Sequence, residues 1–262
     1  MREKARSVVE TGIKAAAAYG REDLAGRLAG TRSQLDHDGI RVMVVGEFKQ
    51  GKSSLVNAML NAPVCPVDDD VATSVPTLVR YAEEPTATII RPPATDQAGA
   101  SMISAGSADA EPEREPVDVS ALPVYASELG NPANELGLLA VEVGIPRSLL
   151  ADGITVIDTP GVGGLGSAHT AATVAALPTA DVVLFVTDAS QELTRTEFDF
   201  LAAATRSGAN GPGPACALVM TKTDFYPDWQ QIVDLNRGHL DRLGVSIPVL
   251  ATSALLLSLI HI

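Results

Sequence analysis

The stretch VMVVGEFKQGKSSLVNAML at residues 42–60 decides the fold. It runs from an apolar strand pattern through a glycine-bounded loop into a helical pattern. The loop has the spacing Gly46-x-x-x-x-Gly51-Lys52-Ser53. Glycines at these positions let successive backbone N–H groups turn inward around phosphates, while the lysine reaches the β and γ phosphates and the hydroxyl coordinates Mg²⁺. The stretch therefore predicts a nucleoside triphosphate site at a strand–helix junction.

Short apolar runs alternate with helical patterns along most of the chain. The predicted strands are IRVMVV (40–45), TATIIR (86–91), LLAVEVGI (138–145), ITVID (154–158), DVVLFVT (181–187), ACALVMT (215–221) and IPVLAT (247–252). The predicted helices are KSSLVNAMLN (52–61), HTAATVAA (169–176), RTEFDFLAAATR (195–206) and DWQQIVDLNRGHLDRL (228–243). This alternation favours an α/β fold, a P-loop domain with a doubly wound, mainly parallel sheet.

A second motif indicates which nucleotide is bound. Thr221-Lys222-Thr223-Asp224 follows the strand ACALVM, at the strand end where open α/β sheets bind ligands. A carboxylate at Asp224 can accept hydrogen bonds from N1 and the N2 amino group of guanine, whereas adenine offers no such donor pair. Ser253-Ala254, after IPVLAT, fits a later loop whose backbone contacts the guanine oxygen. The pattern predicts GTP as the ligand.

A third motif supplies the metal side of the site. In Asp158-Thr159-Pro160-Gly161, the aspartate is expected to hold Mg²⁺ through a water and the Gly161 amide to sense the γ-phosphate. Thr73 is expected to complete the metal shell when GTP is bound, with Thr77 as the alternative. Asp68 to Asp70 are interpreted as a solvated loop rather than a second metal site.

Together the motifs define the predicted site residues. The predicted GTP ligands are Gly46, Glu47, Gln50, Gly51, Lys52, Ser53, Ser54, Gly161, Thr221, Lys222, Asp224, Ser253 and Ala254. The predicted metal ligands are Ser53, Thr73 and Asp158. The predicted catalytic residues are Lys52, Thr73 and Lys49.

Composition excludes several classes of protein. The chain has 262 residues, 46% of them hydrophobic, and a formal net charge of −13, which argues against a nucleic-acid binder. Two cysteines without metal-ligand spacing favour a reduced, cytoplasmic compartment. The N-terminus lacks the pattern of a secretory signal, and no run reaches the 18 or so apolar residues of a membrane span. Residues 92–118, rich in Pro, Ala, Ser, Gly and acid, are predicted to form a flexible insertion.

The order GEFKQGKSS, ATSVPT, DTPGVGG, TKTD resembles the GTPase domain of the dynamin superfamily, over about 40–254. PVCPVDDDVATSVPT and TDASQELTRTEFDFL look most like bacterial dynamin-like proteins, near the isoniazid-inducible protein branch. The resemblance implies a helical neck segment at 1–38 and a GTPase domain at 39–262. It also implies nucleotide-dependent dimerisation through the GTPase face and, in the full-length protein, a peripheral place at the inner face of the cell membrane, where GTP hydrolysis is coupled to membrane remodelling.

The chain departs from related GTPases at the catalytic water. Val162 stands where small GTPases have a water-orienting Gln, and Phe48 and Lys49 stand where eukaryotic dynamins have polar residues. Lys49 is a candidate for a charge near the phosphates, in cis or across a dimer. Two alternatives stay open: a GTP-regulated scaffold with little hydrolysis, and a ribosome- or RNA-associated GTPase.

The last residues interrupt the expected pattern. After Ser253-Ala254 we expect a further helix and then a stalk that carries the membrane contact, but the sequence ends with LLLSLIHI. We therefore expect the C-terminus to be truncated, with this apolar run left without a surface to bury it.

Overall fold

The computed structural model describes residues 2–21, 24–26, 28–29, 31–32, 39–67, 73–93, 112–161, 173–206 and 213–260. The strands in this part of the chain are β1 Ile40–Val45, β2 Thr77–Tyr81, β3 Thr86–Arg91, β4 Glu113–Val117, β5 Ala140–Ile145, β6 Ile154–Asp158, β7 Val182–Asp188, β8 Ala215–Thr221 and β9 Val249–Ala251. The helices are α1 Arg2–Ala18, α2 Lys52–Leu60, α3 Leu122–Ala126, α4 Ser148–Ala151, α5 Arg195–Arg206, α6 Trp229–Arg242 and α7 Ala254–Ile260.

The described strands form one sheet in the order β4-β3-β5-β2-β6-β1-β7-β8-β9. The half from β6 through β1, β7 and β8 to β9 is parallel throughout. On the other side, β2 runs antiparallel to β6 and parallel to β5, and β3 runs antiparallel to both β5 and β4. The predicted α/β fold with a mainly parallel sheet is confirmed.

Alternate residues of the central strands bury against opposite faces of the sheet. Val44 of β1 and Val186 of β7 belong to the core under α2. Met43 and Phe185, their neighbours in sequence, belong to the core under α5 and α6. Strands covered on both faces are apolar throughout, which is why these runs were recognisable in the sequence.

Two strands escape sequence-based prediction. β2 was not predicted, and β4 lies inside the stretch that was predicted to be flexible, so that prediction is wrong for residues 113–117. β4 is an edge strand with mostly exposed side chains, where charges and Pro116 are tolerated because one side of the strand needs no partner. Arg114 of β4 forms a salt bridge with Glu142 of β5, with 2.5 Å between the guanidinium nitrogen and the carboxylate oxygen. Residues 94–111 of the predicted insertion lie outside the described residues.

The N-terminal helix is present. α1 ends before Gly20, which has a left-handed φ of 66°, and the chain then folds back, since Gly12 of α1 lies against Leu28. A β-carbon at Gly12 would lie 3.1 Å from the Leu28 side chain, so the glycine permits this close approach. α1 therefore packs against the segment that contains Leu28. The assignment of residues 1–38 to a neck stays a prediction.

The apolar run after Ser253 forms α7, which lies on α2. Leu257 packs against the core beneath α2, so the expectation that this run has no surface to bury it is wrong. Three other leucines of the helix remain about half exposed: Leu255, Leu256 and Leu259.

Candidate nucleotide-binding site

The phosphate loop joins β1 to α2 and requires glycine at both ends. At Gly46 the φ angle is 152°, and a β-carbon there would lie 2.1 Å from the backbone oxygen of Val186. At Gly51 the φ angle is 84°, and a β-carbon would lie 3.1 Å from Thr221 Oγ1. Glycine is therefore needed at both positions for two reasons: the backbone has a positive φ, and Val186 and Thr221 lie too close to admit a side chain easily.

Lys52 is buried within this loop. Its Nζ donates a hydrogen bond to the backbone oxygen of Glu47 at 2.7 Å, which curls the side chain back over the loop. Burial lowers the pKa of Lys52 to about 8, although the charges of Asp158 and Glu47 oppose the shift. Burial also raises the pKa of Glu47, with the nearby Glu197 adding to the effect. A bound phosphate group would supply a negative charge that stabilises the protonated form of this buried amine.

Three predicted metal ligands lie together. The Ser53 hydroxyl donates to Asp158 Oδ2 at 2.6 Å, and Thr73 Oγ1 lies 3.1 Å from Ser53 Oγ and 3.3 Å from the same carboxylate oxygen. Burial raises the pKa of Asp158, although hydrogen bonds from Ser53 and the charge of Lys52 oppose it. The other oxygen, Oδ1, is buried without a hydrogen-bond partner among the described groups.

This donor set fits Mg²⁺. That ion is usually held by one or two protein carboxylates or hydroxyls, with waters and substrate phosphates as the other ligands, rather than by a cage of side chains. The described residues contain no cluster of three His, Cys, Asp or Glu side chains able to hold a metal. The Ser53 and Thr73 hydroxyls both contact Asp158 Oδ2, so this is the carboxylate oxygen on the metal side of the site.

Thr77, the alternative to Thr73, occupies a different place. It opens β2 opposite Asp158 in the strand register, and its hydroxyl is buried without a hydrogen-bond partner among the described groups. The structure thus brings Thr73, and not Thr77, into hydrogen-bond distance of Ser53. Asp68 to Asp70 lie outside the described residues.

The loop after β6 lies directly against the phosphate loop. A β-carbon at Gly161 would come within 2.8 Å of Phe48 Cα, so only glycine fits between the two loops. Phe48 itself is about half exposed, and Lys49 Nζ lies 5.4 Å from the centre of its ring. Val162, the residue in the position of the water-orienting glutamine, lies outside the described residues.

The predicted base-binding loop is tied to the phosphate loop. Thr221 Oγ1 donates to the backbone oxygen of Gln50 at 2.7 Å, and Lys222 Nζ donates to that of Lys49 at 2.8 Å. Lys222 adopts a left-handed φ of 57°, which turns the chain at the strand end and leaves the Asp224 side chain exposed to solvent. The carboxylate is thus accessible to a base.

The last predicted site residues lie at the start of α7. Ser253 is buried, and its hydroxyl accepts a hydrogen bond from the Leu256 amide at 3.1 Å, so it caps the helix. Ala254 follows it and, with Ser54 from the first turn of α2, lines the groove between α2 and α7. Thr252, just before them, accepts a hydrogen bond from the Thr223 amide at 3.4 Å, which places this loop beside the predicted base site.

Asp188 is a site residue that sequence reasoning missed. It ends β7, accepts hydrogen bonds from Lys222 Nζ at 3.0 Å and from the Ser190 hydroxyl, and its amide donates to Gln50 Oε1 at 2.6 Å. Burial alone would raise the pKa of Asp188, but the bonds from Ser190 and Lys222 outweigh it and the pKa is lowered. The signal was available, because a carboxylate directly after a buried parallel strand is expected at the ligand-binding edge.

Cys65 and Asn57 were also missed. The Asn57 side chain accepts hydrogen bonds from the Val64 and Cys65 amides at 2.9 and 2.8 Å and donates to the Cys65 oxygen at 2.7 Å. Burial, followed by the charge of Asp158, raises the pKa of the Cys65 thiol well above its usual range. No sequence pattern predicts that Cys65 lies beside Asp158, because this proximity depends on the path of the loop after α2.

The sheet and these converging loops define a P-loop nucleotide-binding domain of the GTPase type. The sequence profile of the dynamin family matches residues 42–222, from the strand before the phosphate loop into the Thr221–Asp224 motif. The chain belongs to the dynamin family, and its described globular part is a dynamin-family GTPase domain.

Two curated relatives have similar sequences. The isoniazid-induced protein IniA of Mycobacterium tuberculosis is 41% identical over 238 residues, which are 91% of this chain and 34% of that protein. An uncharacterised protein encoded in the xynA 3′ region of Caldicellulosiruptor sp. is 29% identical over 176 residues, or 67% of this chain and 39% of that protein. The chain therefore spans little more than a third of the length of either relative.

A solved structure has the same fold. It belongs to an oligomerised bacterial dynamin pair, described as providing a mechanism for the long-range sensing and tethering of membranes. The TM-score is 0.61 at 19% identity, and the match covers 98% of this chain and 39% of that one. Among the described residues, no helix is both long enough and apolar enough to cross a bilayer.

Proposed function

We propose that this chain binds GTP with Mg²⁺ and hydrolyses it to GDP and phosphate. The observation that carries the proposal is the convergence of Ser53, Thr73 and Asp158 within hydrogen-bond distance of one another, on the same sheet edge as Thr221 to Asp224. Family membership adds that such domains act on GTP. Among the nucleoside triphosphates GTP is favoured, because the exposed carboxylate of Asp224 can accept hydrogen bonds from guanine.

Each group has a distinct task in this proposal. The backbone N–H groups of the phosphate loop and the N-terminus of α2 bind the phosphates, and Lys52 supplies a buried positive charge to them. Ser53 and Thr73 contribute hydroxyl ligands and Asp158 orients a water, while Mg²⁺, when bound, neutralises developing charge on the phosphates. The Gly161 amide senses the γ-phosphate in this proposal.

The residue that orients the attacking water has no assignment from these contacts. Phe48 is apolar and cannot orient a water, whereas Lys49 carries a charge on the exposed flank of the loop. We propose that Lys49 stabilises developing negative charge, either within one chain or across a nucleotide-dependent dimer formed through this face. The other proposed GTP contacts are Gly46, Glu47, Gln50, Gly51, Ser54, Lys222, Ser253 and Ala254.

In the full-length protein we propose that hydrolysis is coupled to membrane remodelling, at the inner face of the cell membrane. Support comes from the membrane tethering attributed to the structural relative. In this proposal the membrane contact belongs to a stalk rather than to the GTPase domain.

A second candidate is a GTP-regulated scaffold with little hydrolysis, favoured by the apolar Phe48 in the loop flank. GTP turnover, measured with and without liposomes, separates the two. Steady phosphate release that needs Mg²⁺ supports the GTPase, whereas tight GTP binding without release supports the scaffold. Equal affinities for GTP and ATP in calorimetric titration would contradict both, and RNA capture would favour a ribosome-associated GTPase instead.

A further inference from the structure

The backbone of Thr73 is held by a different segment from the one that its hydroxyl contacts. Thr73 forms an isolated antiparallel bridge with Ser127, and the Ser74 amide donates to the Ala126 oxygen at 2.9 Å. The hydroxyl side of Thr73 meets Ser53 and Asp158, as described above. One residue thus joins the metal side of the site to a segment more than fifty positions later in the chain.

That segment is a compact turn, residues 122–131, which we call the anchoring turn. It consists of α3 and the tight loop after it. The Ser127 hydroxyl donates to the Pro123 oxygen and accepts a hydrogen bond from the Gly130 amide at 3.2 Å, while the Asn131 amide donates to the Ser127 oxygen at 2.8 Å. Ser127 and Asn131 are both buried, so these bonds are shielded from water.

Gly130 closes the anchoring turn against α3. A β-carbon there would lie 2.5 Å from both Cα and the backbone oxygen of Val124, and 2.6 Å from the Pro123 oxygen. These neighbours are backbone atoms, which cannot rotate away as a side chain can. A methyl group at this position must therefore push the loop away from α3 and disturb Ser127.

The stretch from Thr73 to Thr77 contains buried hydroxyl groups that make no hydrogen bond among the described groups. The hydroxyls of Ser74 and Thr77 are buried without hydrogen-bond partners among the described groups. A buried hydroxyl without a partner carries a desolvation cost, so this stretch is held in place by its anchors rather than by its own contacts.

We propose that the anchoring turn is a positioning element for Thr73, and that Ser127 and Gly130 act on the site only through that threonine. The inference rests on the proposed function, in which Thr73 serves the metal when a γ-phosphate is present. Disturbing a positioning element for Thr73 therefore lowers the affinity for the triphosphate and leaves the affinity for the diphosphate nearly unchanged. Disturbing a turn that only stabilises the fold lowers both affinities to the same extent.

The test compares Gly130→Ala with Gly238→Ala in the same chain. Gly238 lies in α6, and a β-carbon there would have no neighbouring atom within 4 Å, so it is a matched glycine control. Calorimetry with Mg²⁺ measures the affinity for a non-hydrolysable GTP analogue and for GDP. We expect Gly130→Ala to weaken analogue binding roughly 5- to 10-fold, about the worth of one hydrogen bond, with GDP changed less than about twofold.

A double-mutant cycle with Thr73→Ala tests the route of the effect. If the anchoring turn acts through Thr73, then adding Gly130→Ala to Thr73→Ala causes no further loss of analogue affinity. Additive losses, or equal losses for analogue and GDP, overturn the inference. Thermal unfolding checks that each variant is folded, and Ser127→Ala, which removes two bonds without a clash, replaces Gly130→Ala if the latter does not fold. A parent chain that binds neither nucleotide contradicts the proposed function itself.

Discussion

Lys222 Nζ donates a hydrogen bond to the backbone oxygen of Lys49 at 2.8 Å while it also pairs with Asp188 at 3.0 Å. The proposed base loop is therefore bonded directly to the loop that receives the phosphates. Because Thr221 makes a second bond of this kind to Gln50, the two loops form one rigid edge. A nucleotide can contact both loops only if it spans this edge, from the phosphate end at Lys52 to the base end at Asp224.

Asp224→Asn tests the base end. The change keeps the shape of the side chain but removes the charged double acceptor for guanine, and one charge-assisted pair is worth roughly 1.5–3 kcal/mol. We expect GTP affinity to fall about 10- to 150-fold while ATP affinity stays low. Calorimetric titration measures both, and Asp228→Asn, an exposed aspartate four residues later, serves as the control.

Lys52→Ala and Lys49→Ala test the phosphate end. Lys52 is buried in the loop, so its loss should abolish nucleotide binding or turnover. Lys49 lies on the exposed flank, so its loss should spare binding and lower only kcat. Binding by calorimetry and turnover by phosphate release separate the two effects. An unchanged kcat in Lys49→Ala would mean that this lysine is an ordinary solvated side chain.

Thr77→Val tests which threonine serves the metal. The Thr77 hydroxyl is buried without a partner among the described groups, so replacing it with a methyl group of similar shape should leave GTP turnover unchanged and raise stability by up to about 1 kcal/mol. Thr73→Ala should instead lower turnover, because Thr73 lies beside Ser53. Chemical unfolding and phosphate release provide the two readouts. Loss of turnover in Thr77→Val would reverse the assignment.

Vesicle binding tests where the membrane contact resides. With a formal net charge of −13, the chain should bind GTP yet fail to sediment with anionic liposomes. Any residual binding is expected to come from the half-exposed leucines of α7. The variant that combines Leu255→Gln, Leu256→Gln and Leu259→Gln removes that source. GTP-dependent binding by this variant would place a lipid site in the GTPase domain itself.

The fold was predictable where strands are buried on both faces. β1, β7 and β8 could be recognised because their runs are apolar throughout, and the motifs near the strand ends marked Lys52, Asp158 and Asp224. β4 could not, because an exposed edge strand has the composition of a loop. The contact of Ser127 with Thr73 could not be predicted either, since it is a backbone bridge that leaves no side-chain pattern.

The position of β1 in the sheet has a consequence for hydrogen exchange. β1 is bonded on both sides, to β6 and β7, and lies between two cores, whereas β4 and β9 each have one neighbour among the described strands. Amide protons of β1 should therefore exchange with deuterium only when the whole domain unfolds, while those of β4 exchange by local opening. The strand that leads into the phosphate loop should then be among the slowest to exchange, and its exchange rate reports global stability with or without nucleotide.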